Sequence, residues 1–285
     1  MIRRNGTLGV LLATVLVGSL AQEATAQLNA ERVRGAIDRG VEYLRRGQLP
    51  GGEWPDGRYG RYERSVTALC LLAMIESGVP VEDDSIQRAI KKVRAAKPDQ
   101  TYAVALQTMA LCAVDPKRDL VQIRDNVRWL EKTQLKIGLN RGSWSYPGTM
   151  GDGSNSQFAL LALHEAHRVG VPVSDITWRQ AAAYWLGAQN PNGSWGYHPG
   201  ERARGSMTCA GIASMVITTD RLGAADAVIE NGRVRCCAAQ DDDSAIERGL
   251  AWLGRNFRAG DNPGVGQHWL YYLYAMERVG RMTAQ

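Results

Sequence analysis

Three observations predict an all-α protein built as two concentric layers of helices. Amphipathic segments alternate five times with segments that are apolar on nearly every side. Turns bearing Gly or Pro separate them. A short motif also recurs along the chain, as it does when each helical hairpin must lean on its neighbours to bury its face. No segment carries a convincing strand pattern.

The outer layer is read from apolar stripes at helical spacing on otherwise charged segments. Val33, Ile37, Val41 and Leu44 form one, Ile123, Val127 and Leu130 another, and Ile246, Leu250 and Leu253 a third. The inner layer is read from VTALCLLAMI, YAVALQTMALCAV, QFALLALHEA, MTCAGIASMVI and HWLYYLYAM. A helix that is apolar all round is packed on all sides by protein. Inner helices are therefore expected near 63–77, 101–114, 155–169, 206–219 and 267–280.

The chain of 285 residues is 45% hydrophobic and 22% charged, which excludes disordered and fibrous classes. A net charge of +5 without a basic run points to solubility, with no nucleic-acid partner expected. Residues 1–26 read as a secretory signal peptide. Arg3 and Arg4 precede an apolar run from Leu8 to Leu20, and Ala24-Thr25-Ala26 supplies a small-x-small cleavage site. The run is short for a bilayer span, so no stable membrane span is expected after cleavage. Residues 27–285 form the repeat domain, expected in the periplasm or outside the cell. The Cys count of five is odd and far below that of a disulfide scaffold. Cys70 and Cys112 lie in apolar runs and read as small buried hydrophobes, while the adjacent Cys236 and Cys237 fall in a polar loop.

The recurring motif begins at Arg39-Gly40-x-x-Tyr43-Leu44 and continues through Gln48 to Gly52-x-Trp54. A later copy has Gln134 and Gly142-x-Trp144, and the next has Gln189 and Gly193-x-Trp195. A degenerate last copy keeps Arg248-Gly249-x-x-Trp252-Leu253 but has Phe257 in place of Gln and no following Gly-x-Trp. The expected role is structural. The Gln amide bonds backbone groups at a helix end, the Gly permits the sharp turn, and the Trp packs over the next repeat.

This pattern resembles the QW motif of squalene–hopene cyclases, which share an α/α toroid with the β subunits of protein prenyltransferases. The resemblance covers roughly residues 30–281. The run around Ser154–Leu163 is similar to exported proteins described as prenyltransferase or squalene-oxidase repeat proteins. It implies an α/α toroid of about five hairpins, one short of a typical closed ring. An incomplete ring would leave the last hairpin open to a partner or a second copy through Tyr271, Tyr274 and Met276.

The chemistry of those relatives is not carried by the residues. A D-x-D-D acid site is missing its leading Asp in Gln240-Asp241-Asp242-Asp243, which reads instead as a helix start, as do Asp83 and Asp84. A zinc site of the prenyltransferase kind has candidates in Cys209 and His268, but Met207 stands where the Asp belongs. His164 and His167 read as solvated near a helix end, and no G-C-G-E-Q thioester string is present. No metal and no cofactor is expected. Glu63, Arg64, Asp152, Asn155, Gln157, Cys209 and His268 lie at or near inner-helix starts and are candidates for a cavity rim, with capping as the plainer role for several.

The sequence therefore points to an exported repeat protein that holds an apolar small molecule, lipid or extracellular ligand in its central cavity without the family's standard chemistry. Two alternatives stand beside it: a divergent isoprenoid-acting enzyme, and a polysaccharide-processing enzyme using Glu63 and Asp152. The export reading has a direct check. The native protein should start at Gln27 or within a residue or two of it, by intact mass; retained Met1 rejects the signal peptide.

Overall fold

The computed structural model describes residues 30–57, 65–146, 150–223, 227–230, 233–236 and 240–284. The predicted signal peptide, Glu63, Arg64 and Cys237 lie outside them. The fold is all-α. Outer helices are α1 (Ala30–Gly47), α3 (Asp84–Ala95), α5 (Leu120–Thr133), α7 (Asp175–Ala188) and α9 (Gln240–Asn256). Inner helices are α2 (Ser65–Glu76), α4 (Thr101–Val114), α6 (Gly153–Arg168), α8 (Gly205–Gly223) and α10 (Trp269–Thr283).

Hydrophobicity sorts the layers. Ile86, Ile90 and Val93 of α3, and Ile123, Val127 and Leu130 of α5, are buried along one stripe of each helix. The inner helices α4, α6 and α8 bury residues around most of their circumference, whereas α10 buries Tyr272, Ala275 and Val279 along one side. Each inner helix packs on the next, α2 on α4, α4 on α6, α6 on α8 and α8 on α10, with outer helices seated against them. The first and last inner helices face the same cavity, and Glu76 of α2 lies 4.0 Å from Arg281 of α10.

The repeated motif acts identically three times. Gln48 Nε2 donates to the carbonyls of Gly52 and Ser85, at 3.0 and 2.8 Å. Gln134 does so to Gly142 and Thr177, at 3.1 and 3.0 Å, and Gln189 to Gly193 and Ala245, at 3.0 and 2.8 Å. One amide thus ties the end of an outer helix to its own turn and to the first two turns of a later outer helix. The Trp makes the second tie. Trp54, Trp144 and Trp195 donate Nε1 to the carbonyls of Leu44, Leu130 and Trp185 near the end of the outer helix. Their backbone N–H groups reach Thr67, Ser156 and Thr208 hydroxyls at the start of the next inner helix. At Gly142 and Gly193 φ is +93° and +89°, and a Cβ there would collide with the carbonyl of Gln180 or Arg248, so only glycine fits.

The hairpin that lacks the motif is braced from the inner layer. Gln107 of α4 donates Nε2 to Val93 and Ala96 at the end of α3, and its Oε1 accepts from Asn126 of α5 at 3.0 Å. Asp83 caps α3 by accepting from Ser85 N, and Arg45 pairs with it at 2.9 Å. Asp241–Asp243 fall in the first turn of α9.

Three expectations need correction. A two-stranded antiparallel ribbon, β1 (Ala227–Glu230) and β2 (Arg233–Cys236), interrupts the α8–α9 connection where no strand was read; Val-Ile and Val are too few to register as alternation. Tyr271 and Tyr274 do not form an outward patch on the last hairpin. Both stack on Phe158 inside the array, and the exposed apolar groups of α10 are Trp269 and Leu270. The stripe on α1 is not covered as those on α3 and α5 are: α1 buries no residue, and Val33 and Ile37 are 43% and 41% exposed. Among the described residues no inner helix precedes α1, so it meets α2 and, through Arg45 and Asp83, the start of α3.

Gln134→Leu keeps the volume but leaves the carbonyls of Gly142 and Thr177 without their donor. Chemical denaturation should show a loss of about 1–3 kcal/mol. Unchanged stability would mean that the amide is not the brace.

Candidate functional site

The connections from outer to inner helices deliver the starts of the inner helices to one end of the array. Below those starts lies a cavity of about 650 Å³. Its wall is aromatic. The Tyr102 ring lies 4.4 Å from that of Phe158, centroid to centroid, and Phe158 stacks with Tyr271 at 6.2 Å and Tyr274 at 5.8 Å. Val66, Leu69, Leu106 and Met207 supply aliphatic surface, and Ser65, Tyr197, Arg204, Ser206, Asn262 and His268 supply polar groups.

Sequence order explains these positions. Tyr102 is the second residue of α4, and Tyr271 and Tyr274 are one turn apart on α10, so both point the same way. Asn262 holds the mouth together: its Oδ1 accepts from Ser206 N at 2.8 Å, and its Nδ2 donates to Ser206 Oγ and the Gln267 carbonyl. His268, just before α10, takes a left-handed backbone with φ of +58°, a conformation that costs a non-glycine residue energy.

The hydroxyls are connected. Ser154 Oγ donates to Asp152 Oδ1 at 2.9 Å and lies 3.3 Å from Tyr197 OH. Tyr271 OH donates to Gln157 Oε1 at 2.5 Å. Burial, helped by the Asp152 charge, pushes the Tyr197 phenol up to about 12. Burial likewise drives Tyr102 and Tyr271 well above the ordinary phenol value. At neutral pH these groups are therefore hydrogen-bond donors rather than bases. Arg204 lies over the Tyr197 ring at 5.1 Å and pairs with Glu201 at 3.1 Å.

Of the candidate rim residues, His268 lines the cavity. Asp152, Asn155 and Gln157 are buried behind the wall. Asp152 caps α6, accepting from Asn155 N, Asn155 Nδ2 and Ser154 Oγ, so its oxygens are occupied by its own helix. Cys209 is buried away from the cavity, and burial pushes its thiol up to about 12. The thiols of Cys70, Cys112 and Cys209 are free. Among the described residues no group of three His, Cys, Asp or Glu is placed to hold a metal, so Cys209 and His268 do not fit a zinc set here. No helix among them is long and apolar enough to cross a membrane. Gln48, Trp54, Gln134, Trp144, Gln189 and Trp195 do not line the cavity. The aromatic wall was missed by sequence reasoning; its signal is the tyrosines set within the all-apolar segments.

No protein-family model and no curated protein matches the chain.

His164 and His167 sit toward the end of α6. Burial, then the charges of Arg221 and Arg168, lowers the His164 imidazole to about 4. The unfolded chain binds this proton below about 6.5 and the folded chain only near 4, so stability should fall as pH drops through that window. Melting temperature against pH should show the slope, and His164→Gln should flatten it; an unchanged slope rejects the assignment.

Proposed function

We propose that the protein binds an apolar molecule in its central cavity, as a prenyltransferase- or squalene-cyclase-like repeat protein that works by binding and not by that family's standard chemistry. The observation that carries this reading is the aromatic-walled cavity of about 650 Å³, whose tyrosines are held protonated. Such a volume lies in the range of small-molecule sites, and its polar groups gather where inner helices begin. An apolar body in the chamber with a polar end toward Ser206, Asn262 and His268 matches that distribution. Asp152 supports binding over acid catalysis, since both of its oxygens accept bonds from the start of α6 and it meets the chamber only through Ser154 and Tyr197. Export to the periplasm or beyond belongs to the same proposal and rests on the N-terminal pattern.

The test uses residues 27–285 and the fluorescent apolar probe N-phenyl-1-naphthylamine. Saturable binding is expected, with affinity falling about tenfold or more in Leu106→Trp, which fills the chamber. Val66→Trp provides a second obstruction should the first variant fold poorly. Absence of saturable binding, or identical affinity in both folded variants, overturns the proposal. Squalene, or prenyl diphosphates with a peptide acceptor and zinc, should yield no product; a product lost on His268→Ala would overturn the non-catalytic half.

A further inference from the structure

A second concavity lies outside the chamber, between the turn after α7 and the connection that leads into α10. It encloses about 1000 Å³. It forms where the repeat breaks down. In the last copy Phe257 replaces the bracing Gln and no Gly-x-Trp follows, so the chain after α9 is not folded onto a neighbouring turn by that amide.

The lining carries one more cation than anion. Arg202, Arg255 and Arg258 all face the groove, against the carboxylates of Glu201 and Asp261. Glu201 is engaged by Arg204 at 3.1 Å and Asp261 by Arg258 at 3.4 Å. Arg202 and Arg255 have no ion-pair partner among the described residues, so two guanidinium groups remain for an anion. Beside them stand side-chain amides. Asn190 donates Nδ2 to the Glu201 carbonyl, and Asn192 spends Oδ1 on Ser194, leaving its Nδ2 without a described partner. Phe257 presents a ring that is 54% exposed at the same groove.

We infer that this groove binds an acidic oligosaccharide, a chain of sugars bearing carboxylates. Guanidinium forks match carboxylates in planar, two-point geometry. Amides both donate to and accept from hydroxyls. An exposed aromatic ring offers a flat apolar surface to the face of a sugar ring. A bare anion would use only the arginines, and a neutral glycan only the amides and the ring. The groove adjoins the apolar chamber at Val265, which lines both, but its test reads affinity for an acidic glycan and does not depend on ligand binding in the chamber.

The probe is hexagalacturonate, titrated calorimetrically into residues 27–285 at low and at physiological salt, with cellohexaose and inorganic phosphate as separate arms. Saturable binding of hexagalacturonate is expected, weakening as salt rises. The doubly substituted Arg202→Gln/Arg255→Gln protein should lose about tenfold or more in affinity while keeping its circular dichroism spectrum and melting temperature. Phe257→Ala should weaken binding with little change in salt dependence, which separates stacking from charge. Both sites are on the surface, and the single arginine variants provide the same readout should the double variant fold poorly. The inference is overturned if hexagalacturonate does not bind, if cellohexaose binds as tightly, if phosphate alone binds as tightly, or if the folded arginine variants bind unchanged.

Discussion

A primary amide at the end of an outer helix holds this array together. A helix end leaves carbonyls without partners, and a turn adds more. A Gln placed there can serve two carbonyls through the two hydrogens of one nitrogen. Gln48, Gln134 and Gln189 each spend one on their own turn and one near the start of a later outer helix. Their Oε1 atoms are met by Arg88, Lys136 and Arg248, so the amide is satisfied on both sides. Each bond is modest alone. What matters is that all of them connect successive hairpins, which keeps the pitch of the array uniform and sets the inner helices side by side around a chamber.

Bracing at the outside frees the inside. Because the indoles of Trp144 and Trp195 are buried between layers, the surface facing the chamber can be chosen for other reasons. Here it is tyrosine, with phenylalanine among them. Phenols in a dry setting stay protonated and direct hydrogen bonds, as Tyr271 does to Gln157. The chamber therefore has apolar contact surface over most of its wall, with hydroxyls fixed by their own hydrogen bonds at a few points.

The layers were legible in the sequence because periodicity reports burial directly. Ile123, Val127 and Leu130 recur at helical spacing, and all three are buried. The motif glutamines were legible because they repeat. Gln107 and Asn262 were not, although they do similar work. Gln107 sits in the middle of an apolar run, and its partners on α3 and α5 are brought to it only by packing. The chamber wall was hidden for a related reason: a helix apolar on all sides gives no periodic hint of which face meets a neighbour and which meets a void. At the inner-helix starts, sequence allowed both a cap and a site for Asp152, and its bond from Asn155 N makes it a cap.

The uncovered stripe of α1 bears on where the wall of the chamber is most easily opened. In a stack held by nearest-neighbour ties, the end units have the fewest contacts and open most readily. Leu69 on α2 and Leu270 on α10 both line the chamber, yet they are 43% and 73% exposed, so the wall is thinnest where the two ends of the array face each other. The least firmly held helix is α1, and it packs on α2, one of the two helices that flank the gap. Fraying that begins at α1 therefore reaches the chamber by way of α2, so the two edges of the gap are unequally held.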